Sequence, residues 1–202
     1  MRLLVNIRGT NGSGKSTIPI LMKSKDPDVY EVEKPYRGKP KTILTVCPTY
    51  GWVILGQYST ATGGLDQFPR KAFTEKVLQY AIKKYPDYNI LMEGILAATT
   101  YSTYVELFKE VQDEFDIQPV VYYYMPPFET CIERIKQRNG GRGFKEHLVY
   151  SKYGMMQRGI KKFEEAGDFP LFVVDNSTLS KSAMLQQFFD TMKTIERKDE
   201  NE

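Results

Sequence analysis

The chain has 202 residues, 41% of them hydrophobic and 26% charged, which is typical of a soluble globular protein large enough to bury a core. A net charge of +3 gives no reason to expect strong nonspecific binding to nucleic acid, although a local basic groove remains open. Two isolated cysteines, Cys47 and Cys131, exclude a disulfide framework and a cysteine-rich zinc site. With neither a signal peptide nor a membrane-spanning run in the sequence, we expect one cytoplasmic domain over residues 1–202 and no membrane partner.

Apolar runs alternate with helical patterns along the chain, which predicts an α/β fold. Strands are predicted at 3–7, 29–32, 42–47, 52–57, 88–94, 119–125 and 171–176. Helices are predicted from residue 18, from about 68 to 84, and at 101–115, 128–138, 145–166 and 180–196. The strands at 42–47 and 52–57 predict a hairpin inserted into this pattern. The basic, proline-containing segment 34–41 is predicted to be a loop, and 197–202 a frayed tail.

A glycine-rich segment connects the first strand to the first helix. Residues 9–16 fit G-x-x-x-x-G-K-[ST] at every fixed position, a pattern whose backbone N–H groups surround a phosphate while the lysine neutralises the γ-phosphate and the hydroxyl binds Mg²⁺. The predicted nucleotide-binding residues of this segment are Gly9, Asn11, Gly12, Ser13, Gly14, Lys15, Ser16 and Thr17. Packing within the first helix is the stronger explanation for Thr17.

Other nucleotide-binding classes lack their signatures in this sequence. There is no N-K-x-D motif for reading guanine and no L-S-G-G-Q segment of the ABC type. A kinase is therefore favoured, and a nucleotide-binding regulatory module without turnover remains an alternative.

Two acidic residues are the main candidates for metal binding and proton transfer. Glu93 ends a predicted strand at the edge where open α/β sheets bind ligands. It is expected either to hold the water shell of Mg²⁺, with Ser16 as the other metal-binding residue, or to orient the acceptor. Asp66 follows two glycines on a turn and is the first candidate for accepting the proton of an acceptor hydroxyl. It could equally cap the helix predicted from Phe68, and Glu33 is the reserve candidate for the base.

Three arginines recur at intervals of four residues toward the glycine-rich segment 139–143. We expect Arg134 to contact the nucleotide, and Arg138 and Arg142 to stabilise the transferred phosphoryl group from a mobile lid. An ordinary solvated helix face would show the same spacing. Asn176 ends a strand and is a candidate for contacting the nucleotide base.

Four segments occur in the same order in a known group of proteins: "NIRGTNGSGKST", "LGQYSTATGGLD", "LMEGIL" and "CIERIKQRNGGRG". Over residues 4–143 the chain resembles small phage P-loop kinases that are similar to thymidylate kinases and include the 5-hydroxymethyldeoxyuridine DNA kinases. The resemblance implies a three-layer fold with a five-stranded parallel sheet, a lid at 139–143, and ATP and Mg²⁺ as cofactors. It also implies an acceptor hydroxyl on a modified base in DNA.

The distribution of arginines bears on the choice of acceptor. A nucleoside monophosphate kinase grips the phosphate of its acceptor, typically with arginines, but Arg70 is the only arginine between Gly38 and Glu133. This favours a nucleoside-type hydroxyl in DNA over a free deoxynucleoside monophosphate, which remains the runner-up. The basic segment 34–41 is expected either to follow the DNA backbone or to be a plain solvated loop. The oligomeric state is left open.

Overall fold

A seven-stranded sheet organises the computed structural model, which describes residues 1–58, 63–95 and 101–199. The strands are β1 Arg2–Arg8, β2 Tyr30–Tyr36, β3 Lys39–Cys47, β4 Trp52–Leu55, β5 Asn89–Glu93, β6 Ile117–Tyr124 and β7 Leu171–Val174. The helices are α1 Thr17–Lys25, α2 Lys71–Lys84, α3 Tyr101–Phe115, α4 Phe128–Arg138, α5 Glu146–Ala166 and α6 Lys181–Asp199. Two short 3-10 turns lie at Pro48–Tyr50 and Gly64–Gln67.

The strand order is β2-β3-β4-β5-β1-β6-β7. The last five strands in this order pair in parallel, and β2 and β3 join them as an antiparallel edge. The α/β fold and its five parallel strands are thus confirmed, and β2 and β3 extend the same sheet to seven strands. The hairpin predicted at 42–47 and 52–57 corresponds to the antiparallel pair β3 and β4, of which β4 is one of the five parallel strands. Because β1 and β5 are parallel neighbours with Ile7 opposite Glu93, both strands deliver their carboxyl ends to one edge.

Helices cover both faces of the sheet and give three layers. Alternation along β1 sends Leu4 to one face and Leu3, Val5 and Ile7 to the other. The first face packs against α2, α3 and α5, and the second against α1 and α6. No helix in the described ranges is both long and apolar enough to cross a membrane.

The predicted loop at 34–41 is wrong, because these residues form a β-hairpin. Lys34 pairs with Lys41 across β2 and β3, and Arg37 and Gly38 form the connecting turn with φ of 50° and 76°. Positive φ at both central residues matches the right-handed twist of a two-residue hairpin. Pro35 and Pro40 face each other. Pro35 is tolerated because β2 is the edge strand of the sheet, and Pro40 because the pairing of β3 with β4 begins only at Leu44.

The remaining boundaries shift by a few residues. Helix α2 begins at Lys71 rather than near Phe68, because the residue before Pro69 is driven to extended backbone, and Phe68 has φ −83° and ψ 137°. Helix α6 continues to Asp199, three residues into the stretch expected to fray. Residues 200–202, and 59–62 of the expected acceptor loop, lie outside the described residues.

Candidate functional site

The glycine-rich loop lies between the end of β1 and the start of α1. Gly14 has φ +92°, and a Cβ placed there would lie 2.8 Å from Nδ2 of Asn176, so only glycine fits. Across the described residues, the backbone N–H groups of Gly14, Lys15 and Ser16 have no hydrogen-bond acceptor. At a helix N-terminus, such groups form a site for an anion.

Two residues distant in sequence hold the loop in shape. The Arg134 guanidinium donates to the carbonyl oxygens of Gly12 (3.5 Å) and Ser13 (3.3 Å), and to both the side-chain and backbone oxygens of Asn176 (3.1 and 2.9 Å). Nδ2 of Asn176 donates in turn to the Ser13 carbonyl at 2.9 Å. The candidates Arg134 and Asn176 therefore meet at the back of the loop, where they satisfy its carbonyl groups.

A cavity of about 550 Å³ opens in front of the loop. The described residues that line it are Gly12, Gly14, Lys15, Ser16, Thr17, Ile20, Arg134, Gln137, Arg138, Leu179, Lys181 and Met184. Cationic groups from the loop, α4 and α6 thus converge on one space beside the free N–H groups. The arrangement suits a polyphosphate with an attached organic group.

Glu93 lies at the carboxyl end of β5 beside the loop. Its side chain is 1% exposed, Nζ of Lys15 is 3.9 Å from Oε2, and Oε2 accepts no hydrogen bond from the described residues. Burial raises the pKa of Glu93 to about 7, and the charge of Asp66 also raises it, while Lys15 and the hydroxyls of Ser16 and Tyr58 act in the opposite direction. An unpartnered carboxylate oxygen beside a serine hydroxyl can act as a ligand to a cation.

Asp66 lies on the 3-10 turn Gly64–Gln67, which passes over Glu93. Gly64 has φ +60°, and a Cβ there would lie 2.7 Å from both Oε1 of Glu93 and the Tyr58 hydroxyl, so glycine is needed for the turn to approach this closely. Oδ1 of Asp66 accepts the backbone N–H of Ile95 at 2.8 Å. The alternative that Asp66 caps α2 is wrong, because Arg70 occupies the N-cap position of that helix.

Other candidates lie apart from this cluster. Arg142 is exposed, lies outside the cavity lining given above, and its Nε donates to the Asn139 carbonyl at 3.1 Å. Glu33 is exposed in the middle of β2, which is separated from β1 by three strands. It is not at a strand end as expected, because β2 continues to Tyr36. Gly9, Asn11 and Ser13 belong to the loop without lining the cavity.

Sequence reasoning missed two polar residues next to the site. Arg8, the last residue of β1, is fully buried, donates from Nε to Oδ1 of Asn6 at 2.5 Å, and stacks over the Phe163 ring at 4.8 Å. Burial lowers its pKa. The Tyr58 hydroxyl lies beside Glu93, and burial followed by the charges of Glu93 and Asp66 raises the pKa of Tyr58 well above the ordinary value. The signal for Arg8 was an arginine at the end of an apolar strand.

Comparisons with known proteins agree with this architecture. The sequence profile of the family described as "5-hmdU DNA kinase" matches residues 3–183. The chain is 38% identical over 195 residues to a 5-hmdU DNA kinase of Bacillus phage SP10, and the alignment covers 95% of this chain and 30% of that relative. It is 36% identical over 154 residues to 5-hmdU DNA kinase 1 of Salmonella phage ViI, covering 74% of this chain and 66% of that relative.

A third relative, a 5-hmdU DNA kinase of Pseudomonas phage M6, is 29% identical over 161 residues, which covers 76% of this chain and 81% of the relative. The chain thus spans less than a third of the SP10 protein and about two thirds of the ViI protein. Since the profile match runs from β1 into α6 and takes in the glycine-rich loop, Asp66, Glu93 and the arginines of α4, the chain belongs to the 5-hmdU DNA kinase family.

Proposed function

We propose that this chain transfers the γ-phosphate of ATP to the hydroxymethyl hydroxyl of 5-hydroxymethyluracil in DNA. The observation that carries the proposal is the meeting, at one sheet edge, of a phosphate-binding loop with two neighbouring carboxylates. One of these, Glu93, comes from β5, and the other, Asp66, from the Gly64–Gln67 turn. The family to which the chain belongs supports the choice of acceptor.

The donor nucleotide occupies the cavity in front of the loop. The free N–H groups and Lys15 bind the β- and γ-phosphates, as in other P-loop enzymes. Arg134 and Asn176 hold the carbonyl groups of the loop away from the phosphates through the hydrogen bonds described above. Arg138, which lines the cavity, and Arg142, carried by the lid at 139–143, neutralise charge on the phosphoryl group during transfer.

The residues beside the loop fit a magnesium ion. No three His, Cys, Asp or Glu side chains cluster as a metal site in residues 1–58, 63–95 and 101–199, so the protein would supply few ligands. The Ser16 hydroxyl and the unpartnered Oε2 of Glu93 would hold the ion, with phosphate oxygens and water completing its shell, as Mg²⁺ prefers. When bound, the ion neutralises phosphate charge.

Asp66 accepts the proton of the acceptor hydroxyl. As the hydroxymethyl oxygen bonds to the γ-phosphorus, the bond from that phosphorus to the bridging oxygen of ADP breaks. The hydroxyl proton passes to the Asp66 carboxylate, and ADP leaves with the bond's electron pair. A base in a duplex must leave the stack to reach this point.

The test supplies Mg-ATP, labelled in the γ-phosphate, with three acceptors: DNA containing 5-hydroxymethyluracil, the same DNA containing thymine, and free deoxynucleoside monophosphates. Label is expected only in the first, because thymine lacks the acceptor hydroxyl. Transfer to free monophosphates and none to modified DNA would contradict the proposal and establish the runner-up. No acceptor-stimulated release of ADP with any of them would contradict the proposal and favour a nucleotide-binding module without turnover.

A further inference from the structure

We propose that the hairpin tip, residues 34–41 at the end of β2 and β3, binds phosphates of the DNA strand that carries the acceptor base. The inference rests on the proposed function for the identity of the substrate. It adds the surface that the strand follows to reach the site.

The charge of the hairpin tip favours a polyanionic partner. The eight residues contain four cations and no acid, although the whole chain has a net charge of only +3. The exposed cations are Lys34, Arg37 and Lys39, and Lys41 is half-buried. Below the tip, Glu31 is already neutralised by an ion pair with Lys23, and the exposed Glu33, directly before the tip, offsets one of its four charges. Charge is therefore concentrated where a phosphate backbone can pair with several cations at once.

Aromatic rings are interleaved with these cations. The Arg37 guanidinium and the Lys41 ammonium lie 5.5 and 5.8 Å from the centre of the Tyr36 ring, and the Lys34 ammonium lies 4.8 Å from that of Tyr80. Cations set beside aromatic rings are characteristic of surfaces that bind single-stranded nucleic acid, whose bases stack while its phosphates pair with charge. This combination favours DNA over an acidic protein segment.

The hairpin tip is joined directly to the turn that carries Asp66. The Lys41 ammonium donates to the carbonyl oxygen of Gln67, the residue after Asp66, at 2.6 Å. The Tyr36 ring packs edge-on against Phe73 at 5.4 Å, and Phe73 against Phe68 at 5.1 Å. A strand lying along the tip would therefore have its neighbouring nucleotides beside the acceptor end of the site.

The turn carries a cation at a position whose backbone conformation other residues adopt more easily. Arg37 adopts φ +50° at the first central position of the two-residue turn, where asparagine, aspartate and glycine are preferred. Replacement by glycine would ease the backbone conformation and remove only the charged side chain. This gives a variant whose effect on binding cannot be attributed to loss of folding.

The experiment compares the wild-type chain of 202 residues with the triple variant K34Q/R37Q/K39Q and the single variant R37G. The matched control K25Q/K161Q/K193Q removes three exposed charges from α1, α5 and α6. Affinity is measured without ATP for unmodified single-stranded and duplex DNA over a range of salt, and KM and kcat are measured with DNA containing 5-hydroxymethyluracil.

The triple variant is expected to bind DNA roughly tenfold to a hundredfold more weakly, with a salt slope reduced by about two. Its KM should rise by a similar factor with little change in kcat. R37G should show a smaller loss of affinity with an unchanged or higher Tm, and the control should match the wild type. Equal binding by the triple variant and the control would overturn the inference.

The two proposals fail separately. If the wild type phosphorylates modified DNA and the triple variant retains wild-type affinity and KM, the function stands and the DNA surface is wrong. If the wild type transfers nothing to modified DNA, but the triple variant and not the control loses affinity for DNA, the surface stands and the proposed function is wrong.

Discussion

The candidate site has a donor half, formed by the phosphate loop with Lys15, Arg134 and Asn176, and an acceptor half, formed by Tyr58, Asp66 and Glu93. The two halves are built in contrasting ways. In the donor half, Arg134 and Asn176 satisfy the carbonyl groups behind the phosphate loop, so that its shape exists without ligand. In the acceptor half, a carboxylate oxygen, Oε2 of Glu93, is buried without a hydrogen-bond partner among the described residues, whereas the loop has only an uncharged atom of this kind, Oγ of Ser13. An unpaired buried carboxylate oxygen destabilises a fold more than an unpaired hydroxyl does, so the acceptor half has the larger uncompensated cost in the free protein.

The contrast also concerns charge. Lys15 faces open volume on the donor side and makes one long ion pair, at 3.9 Å, to the acceptor-side carboxylate Glu93. Asp66 and Glu93 are like charges close enough to raise the pKa of Glu93. Neighbouring carboxylates of this kind are costly in the free protein and are offset by a cation. We therefore expect mutations in the donor half to lower activity with little change in stability, and loss of a carboxylate in the acceptor half to change both.

The largest effect is expected in the donor half, from Lys15→Ala. Losing a cation on the transferred phosphoryl group should lower turnover roughly 10⁴-fold, while the circular dichroism spectrum stays that of the wild type. Lys25→Ala, which removes an exposed lysine from the end of α1, should leave turnover unchanged. Near wild-type turnover in the Lys15 variant would show that the loop is not the donor site.

Asp66→Asn separates the proton acceptor from the hydrogen-bond acceptor. Asparagine retains an oxygen for the Ile95 N–H but does not take up the hydroxyl proton, so transfer should fall by roughly 10³-fold with little change in Tm. Asp66→Ala should lose about 1 kcal/mol of stability as well. A normal transfer rate in the asparagine variant would reduce Asp66 to a structural role.

Glu93→Gln should lower activity and raise stability together. The folded-state pKa of Glu93, about 7, lies above its ordinary value of 4.5. Its contribution to the free energy of unfolding therefore falls as the pH rises from 4.5 to about 7 and stays at its lowest value above that pH. At pH 8, in protein free of nucleotide and metal, glutamine should raise the free energy of unfolding by about 1–3 kcal/mol. Transfer should fall roughly 10²-fold through loss of a charged ligand.

Denaturant unfolding at pH 5 and pH 8 measures the stability part of this prediction. The gain from glutamine should be larger at pH 8 than at pH 5, because Glu93 is mostly protonated in the folded protein at the lower pH. If the variant were less stable than the wild type at pH 8, the claim that the buried Glu93 carboxylate destabilises the free protein would be wrong.

The smallest effect on turnover is expected for Arg142→Ala. The side chain is exposed in the free protein, so its contact with phosphate would form only when the lid closes, and kcat should fall roughly tenfold with ATP affinity almost unchanged. Lys136→Ala, exposed on α4 and outside the cavity lining, is the matched control. Weaker ATP binding with an unchanged kcat would instead assign Arg142 to binding of the ground state.

The donor half was the more predictable of the two because its chemistry is contiguous in sequence. The motif at residues 9–16 predicts a phosphate-binding loop by itself. The helical periodicity of apolar residues predicted α3 and α4 at the residues where they are observed. The supporting residues Arg134 and Asn176 were singled out as candidates for contacting the nucleotide. Their hydrogen bonds behind the loop span more than 40 residues of sequence, and no local pattern encodes such a contact.

The acceptor half depends on contacts between residues that are distant in sequence and that only the fold brings together. Asp66 and Glu93 come together because the turn at Gly64 passes over the end of β5. The hairpin at 34–41 was missed because two prolines and a lysine-rich composition indicate a loop, whereas an edge strand tolerates both. Glu33, the reserve base, was misplaced because the predicted strand stopped four residues too early.

The central claim is that both halves act together on a hydroxymethyl group of DNA. The most direct measurement is mass spectrometry of the nucleosides released from DNA containing 5-hydroxymethyluracil after incubation with the protein and Mg-ATP. The account predicts that 5-hydroxymethyldeoxyuridine gains one phosphoryl group on its 5-hydroxymethyl oxygen, and that the Lys15→Ala and Asp66→Asn variants both lose this product. Phosphate found only at DNA 5′ ends, or on free nucleotides, would contradict it.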